Sequence, residues 1–165
     1  MTPSDFWRGK RVLLTGHTGF KGAWTALWLE RAGACATGFA LDPPADRDCL
    51  YRCVAPWPRL ESIIGDLRDP ICVARAVKKS DPEIVIHMAA QALVRRSYAD
   101  PVETFATNVM GTAHLLSAAA NHASVRTILG RGASGSHGPW RTSPGDRPSS
   151  SERGRWNQRR MPNSL

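Results

Sequence analysis

Short runs of consecutive apolar residues, each closed by glycine, proline or aspartate, alternate along the first three quarters of the chain with longer stretches whose apolar positions recur every three or four residues. Val12-Leu13-Leu14-Thr15, stopped by Gly16, reads as a strand buried on both faces of a parallel sheet. Residues 19–32 then place Phe20, Ala23, Trp24, Leu27 and Trp28 at helical spacing, which predicts a helix packed through those side chains and stopped at Gly33. Residues 35–41 form a second strand, ended by Asp42-Pro43-Pro44 because consecutive prolines cannot continue a ladder. An irregular connection through Pro56 and Pro58 leads to a third strand at 60–64, closed by Gly65-Asp66.

The next helix is expected over 70–79, with Pro70 in its first turn and Lys78 and Lys79 at its last, where they suit the dipole. Ile84-Val85-Ile86-His87-Met88 is the clearest buried strand. A loop is expected over 91–100, a helix over 102–123 weakened in its middle by Gly111, and the start of a fifth strand over 125–129. Strands alternating with helices require right-handed crossovers, so the predicted fold is α/β: a Rossmann-like, doubly wound parallel sheet. The pattern supplies about half of one, truncated after about the fifth strand. The domain organisation read from it is a partial doubly wound domain over 1–128 and a separate segment over 129–165.

Composition and charge sharpen that division. The chain has 165 residues and a formal charge of +8. Residues 1–123 carry 14 Lys and Arg against 12 Asp and Glu, whereas residues 124–165 carry 8 against 2. Of those last 42 residues, 18 are Gly, Pro or Ser. A segment so poor in apolar residues cannot offset chain entropy by burial, so a disordered tail is expected. Its arginines would bind nucleic acid only non-specifically, so an arginine-rich nucleic-acid arm is the minor alternative. No run of 18 apolar residues occurs and the N-terminus lacks an apolar signal core, which argues against membrane insertion and for a cytosolic setting. Cys35, Cys49, Cys53 and Cys72 lack zinc-ligand spacing and read as reduced thiols.

The segment with the clearest chemistry is Thr15-Gly16-His17-Thr18-Gly19-Phe20-Lys21-Gly22, between the first strand and the first helix. Glycines at 16, 19 and 22 suit a tight turn, backbone approach to a pyrophosphate, and close packing of helix on strand. The helix N-terminus then presents N–H groups and a positive dipole end to the phosphates. Asp42, twenty residues past Gly22, is placed to accept hydrogen bonds from ribose hydroxyls and to repel a ribose phosphate, so NAD is favoured over NADP. The lesser alternative is that Asp42 merely starts the turn at the two prolines. Asp66 could meet the adenine edge, or cap the following helix together with Asp69. His87, within an apolar strand, reads as a hydrogen-bonded core residue. Arg95, Arg96 and Ser97 fall in the loop after the fourth strand, at the ligand-binding edge of such sheets, where an arginine could reach a phosphate or stay solvated.

These motifs, with Gly65-Asp66-Leu67-Arg68-Asp69, His87-Met88-Ala89-Ala90-Gln91 and Thr107-Asn108-Val109-Met110-Gly111-Thr112, resemble the extended short-chain dehydrogenase/reductases, the NAD-dependent epimerases and dehydratases. More narrowly, the glycine motif, Ala40-Leu41-Asp42-Pro43-Pro44 and Ala89-Ala90-Gln91-Ala92-Leu93-Val94-Arg95 resemble the branch that dehydrates CDP-glucose. The resemblance covers about residues 5–128 and implies NAD as cofactor and a nucleotide sugar as substrate. It places Gly16, Thr18, Gly19, Phe20 and Gly22 at the pyrophosphate, Asp42 at the ribose, and Asp66 and Leu67 at the adenine. Ala89, Ala90 and Gln91 fall on the nicotinamide side, Asn108 matches the family's buried helix asparagine, and Arg95 and Ser97 face the substrate.

The family's base is a tyrosine followed four residues later by a lysine, and its dehydratases add a Thr-Ser-Asp-Lys-like segment after the fifth strand. Neither pattern occurs here: the tyrosines are Tyr51 and Tyr98, and the last lysine is Lys79. Ser134, Ser136 and His137 lie in a Gly/Ser-rich stretch with no partner that would make a hydrolytic site. The resemblance therefore implies a cofactor-binding half without catalytic residues, a change of reading frame or gene near residues 124–129, and apolar surface left open to self-association.

Overall fold

The computed structural model describes residues 3–43, 49–55, 57–130 and 140–141. Its centre is a parallel sheet of β1 (Arg11–Thr15), β2 (Cys35–Ala40), β3 (Glu61–Ile64), β4 (Ile84–His87) and β5 (Thr127–Gly130), in the order β3-β2-β1-β4-β5. That order places β1 between β2 and β4, with Leu13 opposite both Thr37 and Val85. The expected Rossmann-like architecture is present. A short strand, β6 (Trp140–Arg141), pairs antiparallel with β5. It falls within the segment expected to be disordered; the remainder of that segment, 131–139 and 142–165, lies outside the described residues.

Because strand side chains alternate, β1 feeds two cores. Val12 and Leu14 join Ala26, Leu29, Ala36, Ile84 and Ile86 on one face. Leu13 joins Phe39, Leu67, Val73, Val77, Val85 and Leu115 on the other. Consecutive apolar residues in β1 and β4 thus reflect cover on both sides.

The helices are α1 (Pro3–Trp7), α2 (Phe20–Arg31), α3 (Leu50–Val54), α4 (Pro70–Ser80), α5 (Val94–Ala99), α6 (Pro101–Phe105) and α7 (Gly111–Ala120). In α2 the structure corrects the expected packing face. Gly22, Ala23, Ala26 and Leu29 are buried, whereas Phe20, Trp24 and Trp28 are 72%, 54% and 48% exposed. The helix lies too close to the sheet for rings, so glycine and alanine form the contact and the aromatics point outward. Trp28 meets Trp7 of α1 edge-on at 5.2 Å. Gly33, at φ 78°, closes the helix as expected.

Helix α4 starts on Asp69, whose carboxylate accepts hydrogen bonds from the main-chain N–H groups of Ile71 and Cys72. Two elements depart from the expected loops. Residues 50–54 form α3, and 94–99 form α5, a helix with no buried residue and hence no hydrophobic period to read. From Pro101 the chain is helical to Ala120, with a π-helical turn at Ala106–Met110. Gly111 is buried there because α7 crosses Leu67: a Cβ on it would lie 2.8 Å from that side chain.

The corrected face of α2 has a direct test. Leu29→Ala should lower stability by about 2–5 kcal/mol, the cost of emptying a closed core site. Trp24→Ala should change it by about 0.5 kcal/mol or less. Urea unfolding midpoints of the two variants compare the faces.

Candidate functional site

The residues singled out by sequence gather where β1 to β4 end, the edge at which such sheets bind ligands. The turn after β1 is built by glycine. Gly16 has φ 77°, and a Cβ there would stand 2.7 Å from the Ala89 nitrogen and 2.8 Å from the Met88 carbonyl carbon. Gly16 N–H donates to the Phe39 carbonyl at 2.8 Å, and Gly19 N–H to the Gly16 carbonyl at 3.0 Å. A Cβ on Gly22 would lie 1.9 Å from the Gly16 oxygen. Gly19 is the N-cap of α2 and no side chain caps the helix, so its first-turn N–H groups face outward uncovered by a cap.

Around this turn, Thr18 donates its hydroxyl hydrogen to the Leu41 carbonyl at 2.9 Å, fastening the turn to the exit of β2 beside the exposed Asp42. Phe20 stands exposed at the start of α2. After β3, Asp66 accepts from the Arg68 main-chain N–H at 2.8 Å and from the Arg68 Nε at 2.9 and 3.0 Å. The hydrogen bonds from the Arg68 side chain are the main reason its carboxyl is held below the usual range. The α4 cap is Asp69, so of the two readings for Asp66, capping falls to Asp69. Leu67 is buried under α7, which leaves its main chain as the part near this edge.

After β4, Ala89 is half-buried and Ala90 exposed. Gln91 and Asn108 are brought together across 17 residues of sequence: the Asn108 Oδ1 accepts from Gln91 N–H at 2.7 Å, and its Nδ2 donates to the Gln91 carbonyl at 3.0 Å. Asn108 sits in the π-helical turn, a distortion often found beside functional sites. The side chain of Gln91 is occupied locally, accepting from Leu93 N–H at 2.6 Å and donating to Thr104 at 3.1 Å. Arg95 and Ser97 lie on α5. Arg95 is exposed, and Ser97 donates to the Val94 carbonyl at 2.7 Å. Arg96 is held by Glu103 at 2.7 Å.

This geometry, a glycine turn opening α2 with a carboxylate after β2, coincides with a family match. Residues 13–137 fit the family model described as GDP-mannose 4,6 dehydratase. The chain belongs to that family. It is 47% identical over 129 residues to CDP-glucose 4,6-dehydratase of Salmonella typhimurium, a match covering 78% of this chain and 36% of that protein. Among solved structures, UDP-glucose 4-epimerase of Thermus thermophilus in complex with NAD is 33% identical, with a TM-score of 0.62 over 72% of this chain and 36% of the epimerase. UDP-glucose 4-epimerase of Brucella ovis, also with NAD, is 27% identical, with a TM-score of 0.61 over 74% of this chain and 35% of the other. The chain thus spans about a third of the length of these relatives. The family match reaches residue 137, nine residues beyond the boundary expected at 128. No helix among the described residues is long and apolar enough to cross a membrane.

Within this GDP-mannose 4,6 dehydratase family member, His17 is a site residue that the spacing of glycines did not reveal. It lies inside the glycine turn yet is fully buried, and a Cβ on Gly38 of β2 would stand 2.3 Å from its ring. Its Nε2 pairs with the Ser62 hydroxyl of β3 at 2.8 Å, and Tyr51 of α3 meets the ring edge-on at 5.2 Å. Nδ1 is buried without a hydrogen-bond partner. Burial pushes the imidazole down from 6.5 to about 4, opposed in part by the Phe39 main chain. The turn is therefore keyed into β2 and β3 by an uncharged ring.

The sign of the resulting pH dependence follows from proton counts. Between the native value near 4 and the unfolded value of 6.5 the unfolded chain binds the extra proton, so this contribution is complete above 6.5 and lost as pH falls toward 4. His87, also lowered by burial, acts in the same direction. The wild type should lose stability between pH 7 and 5, by about 2 kcal/mol from His17 at pH 5. His17→Gln should show a shallower slope in urea titrations across that range.

Proposed function

We propose that residues 1–128 form the NAD-binding half of a sugar-nucleotide 4,6-dehydratase of the CDP-glucose type, and that 129–165 is a separate segment. The observation that carries this reading is the cradle at Gly16, Gly19 and Gly22. At Gly16 and Gly22 the backbone packs where no Cβ fits, and this brings the uncapped N-terminus of α2 to the strand edge, which suits a pyrophosphate. NAD fits the donor set: N–H groups for phosphate, the exposed Asp42 carboxylate for ribose hydroxyls, and the Asp66–Leu67 main chain for the adenine edge. Ala89, Ala90 and Gln91 would flank the nicotinamide, with Asn108 holding Gln91 in place. Two of the solved relatives are complexes with NAD, and the Salmonella relative is named for CDP-glucose, which supports this assignment. When bound, NAD accepts a hydride from the sugar and later returns it.

The residues of this chain bind, orient and select. Asp42 favours NAD over NADP because its charge repels a 2′-phosphate. Arg95, which makes no ion pair among the described residues, is offered to a substrate phosphate, with Ser97 beside it. A base is not supplied, since no Tyr-x-x-x-Lys occurs in the chain. Val102, Phe105, Val109, Met110 and Leu116 leave an exposed apolar face along α6 and α7, and association through it belongs to the same proposal.

Calorimetric titration of the purified chain with NAD and NADP tests the binding reading. Saturable binding that prefers NAD is expected. Gly19→Val should abolish it, and because a Cβ there would press on the Gly16 carbonyl oxygen at 3.3 Å, the circular dichroism of the variant is compared with the wild type to show that the fold persists. Asp42→Asn should weaken NAD about tenfold, worth about 1.4 kcal/mol, and narrow the preference. Equal affinity of wild type and Gly19→Val would overturn the assignment. Separately, the 165-residue chain with NAD and CDP-glucose should form no 4-keto sugar, and accumulation of that product would refute the absence of catalytic residues.

A further inference from the structure

His87 stands at the end of β4 in a set of hydrogen bonds whose protons can all be placed. Thr15 is fully buried at the end of β1, so its hydroxyl must be satisfied within the protein. Its Oγ1 accepts from the main-chain N–H groups of Ala89 and Met88, each at 3.2 Å, the Met88 N–H being shared with the Thr15 carbonyl at 3.2 Å. Both lone pairs are then in use, and the one hydroxyl proton is free to point at the His87 Nδ1, 2.6 Å away. On the other side of the ring, the Thr112 hydroxyl donates to the Asn108 carbonyl at 2.7 Å, the back-bond of a helical threonine. Its oxygen is therefore the acceptor for the His87 Nε2, at 2.9 Å.

We propose that His87 is a positioning residue: a neutral imidazole locked with its proton on Nε2, which holds the turn 88–91 against β1 and the π-helical turn. The bonds close a ring. Met88 and Ala89 donate to Thr15, Thr15 to His87, His87 to Thr112, and Thr112 to Asn108, whose side chain returns to both main-chain groups of Gln91. An imidazolium would break this order, because a proton on Nδ1 would face an oxygen already accepting two N–H groups. The groups bonded to the ring are the two threonine hydroxyls, and burial alone pushes its titration down, with no ionised side chain contributing. The consequence reaches the glycine turn, since Gly16 touches Met88 and Ala89 at a distance that leaves no room for a Cβ.

The binding arm of the test rests on the NAD reading; the other two do not. In the full chain labelled with 15N-histidine, with His87→Gln used for assignment, the His87 ring should be neutral, protonated on Nε2, and should take up its second proton at lower pH than an ordinary imidazole. Thr15→Val, which keeps the shape and removes the hydroxyl, leaves the Nε2–H bond to Thr112 but strips Nδ1 of its donor, so the Nδ1 nitrogen resonance should move downfield. It should also speed amide exchange at Ala89 about five- to tenfold, as expected for losing an ordered hydrogen bond. Thr15→Ser should restore both. If the wild type binds NAD, Thr15→Val should weaken it about tenfold. An Nδ1-protonated or ordinarily titrating His87 in the wild type overturns the proposal, as does unchanged exchange in Thr15→Val. A wild type that shows the locked tautomer and protected amides but binds no NAD sustains the positioning role and overturns the cofactor reading instead.

Discussion

The rest of the structure depends on how closely α2 begins against the turn that precedes it. A Cβ on Gly22 would lie 1.9 Å from the Gly16 oxygen, a distance no side chain survives, and that oxygen also accepts the Gly19 N–H. Glycine at 22 therefore decides where the helix axis runs. Held this near to β1 and β2, α2 can present only small residues to the sheet over its first turns, and Gly22, Ala23 and Ala26 meet that need. The same approach leaves the N-terminus of α2 open at the strand edge, where an anion gains from free N–H groups and the helix dipole.

That constraint also explains which parts of the fold were legible in the sequence. Strands β1, β2 and β4 were plain because cover on both faces makes every position apolar or small. The course of α2 was legible, but not its packing face: Phe20, Trp24 and Trp28 recur with helical period and outweigh Gly22 and Ala26 on any hydrophobic scale, though contact is ruled by size. Helix α5 buries nothing and so left no trace. At the site, the glycines, Asp42 and Asn108 could be read from motif and order, whereas His17 could not. Its role depends on Gly38 and Ser62, which reach it through the sheet rather than along the chain.

The two ends of the sheet are fastened differently. At the N-terminal end, Lys10 pairs with Glu83 at 3.2 Å and Arg11 with Asp81 at 3.5 Å, contacts that water and salt weaken. At the C-terminal end the fasteners are the buried Thr15 hydroxyl, other hydroxyls, an amide and two imidazoles in partly buried bonds, each directional. Burial depresses both His17 and His87, so the strand ends that frame the candidate site are tied together without charge.

Helix α5 is anchored by a third means. Arg96 pairs with Glu103 at 2.7 Å, Glu103 with Arg68 at 3.4 Å, and Arg68 with Asp66, so a row of four charges links α5 through α6 to the exit of β3. With no buried side chain of its own, α5 owes its place to these partly exposed pairs and to Gln91, which caps the preceding turn at Leu93. Such pairs contribute about 0–1 kcal/mol each and fade with salt. The turn after β4, held by buried hydrogen bonds, does not share that weakness. The helix carrying Arg95 is thus the part of the candidate site whose order is easiest to change, and the turn after β4 is the part hardest to disturb.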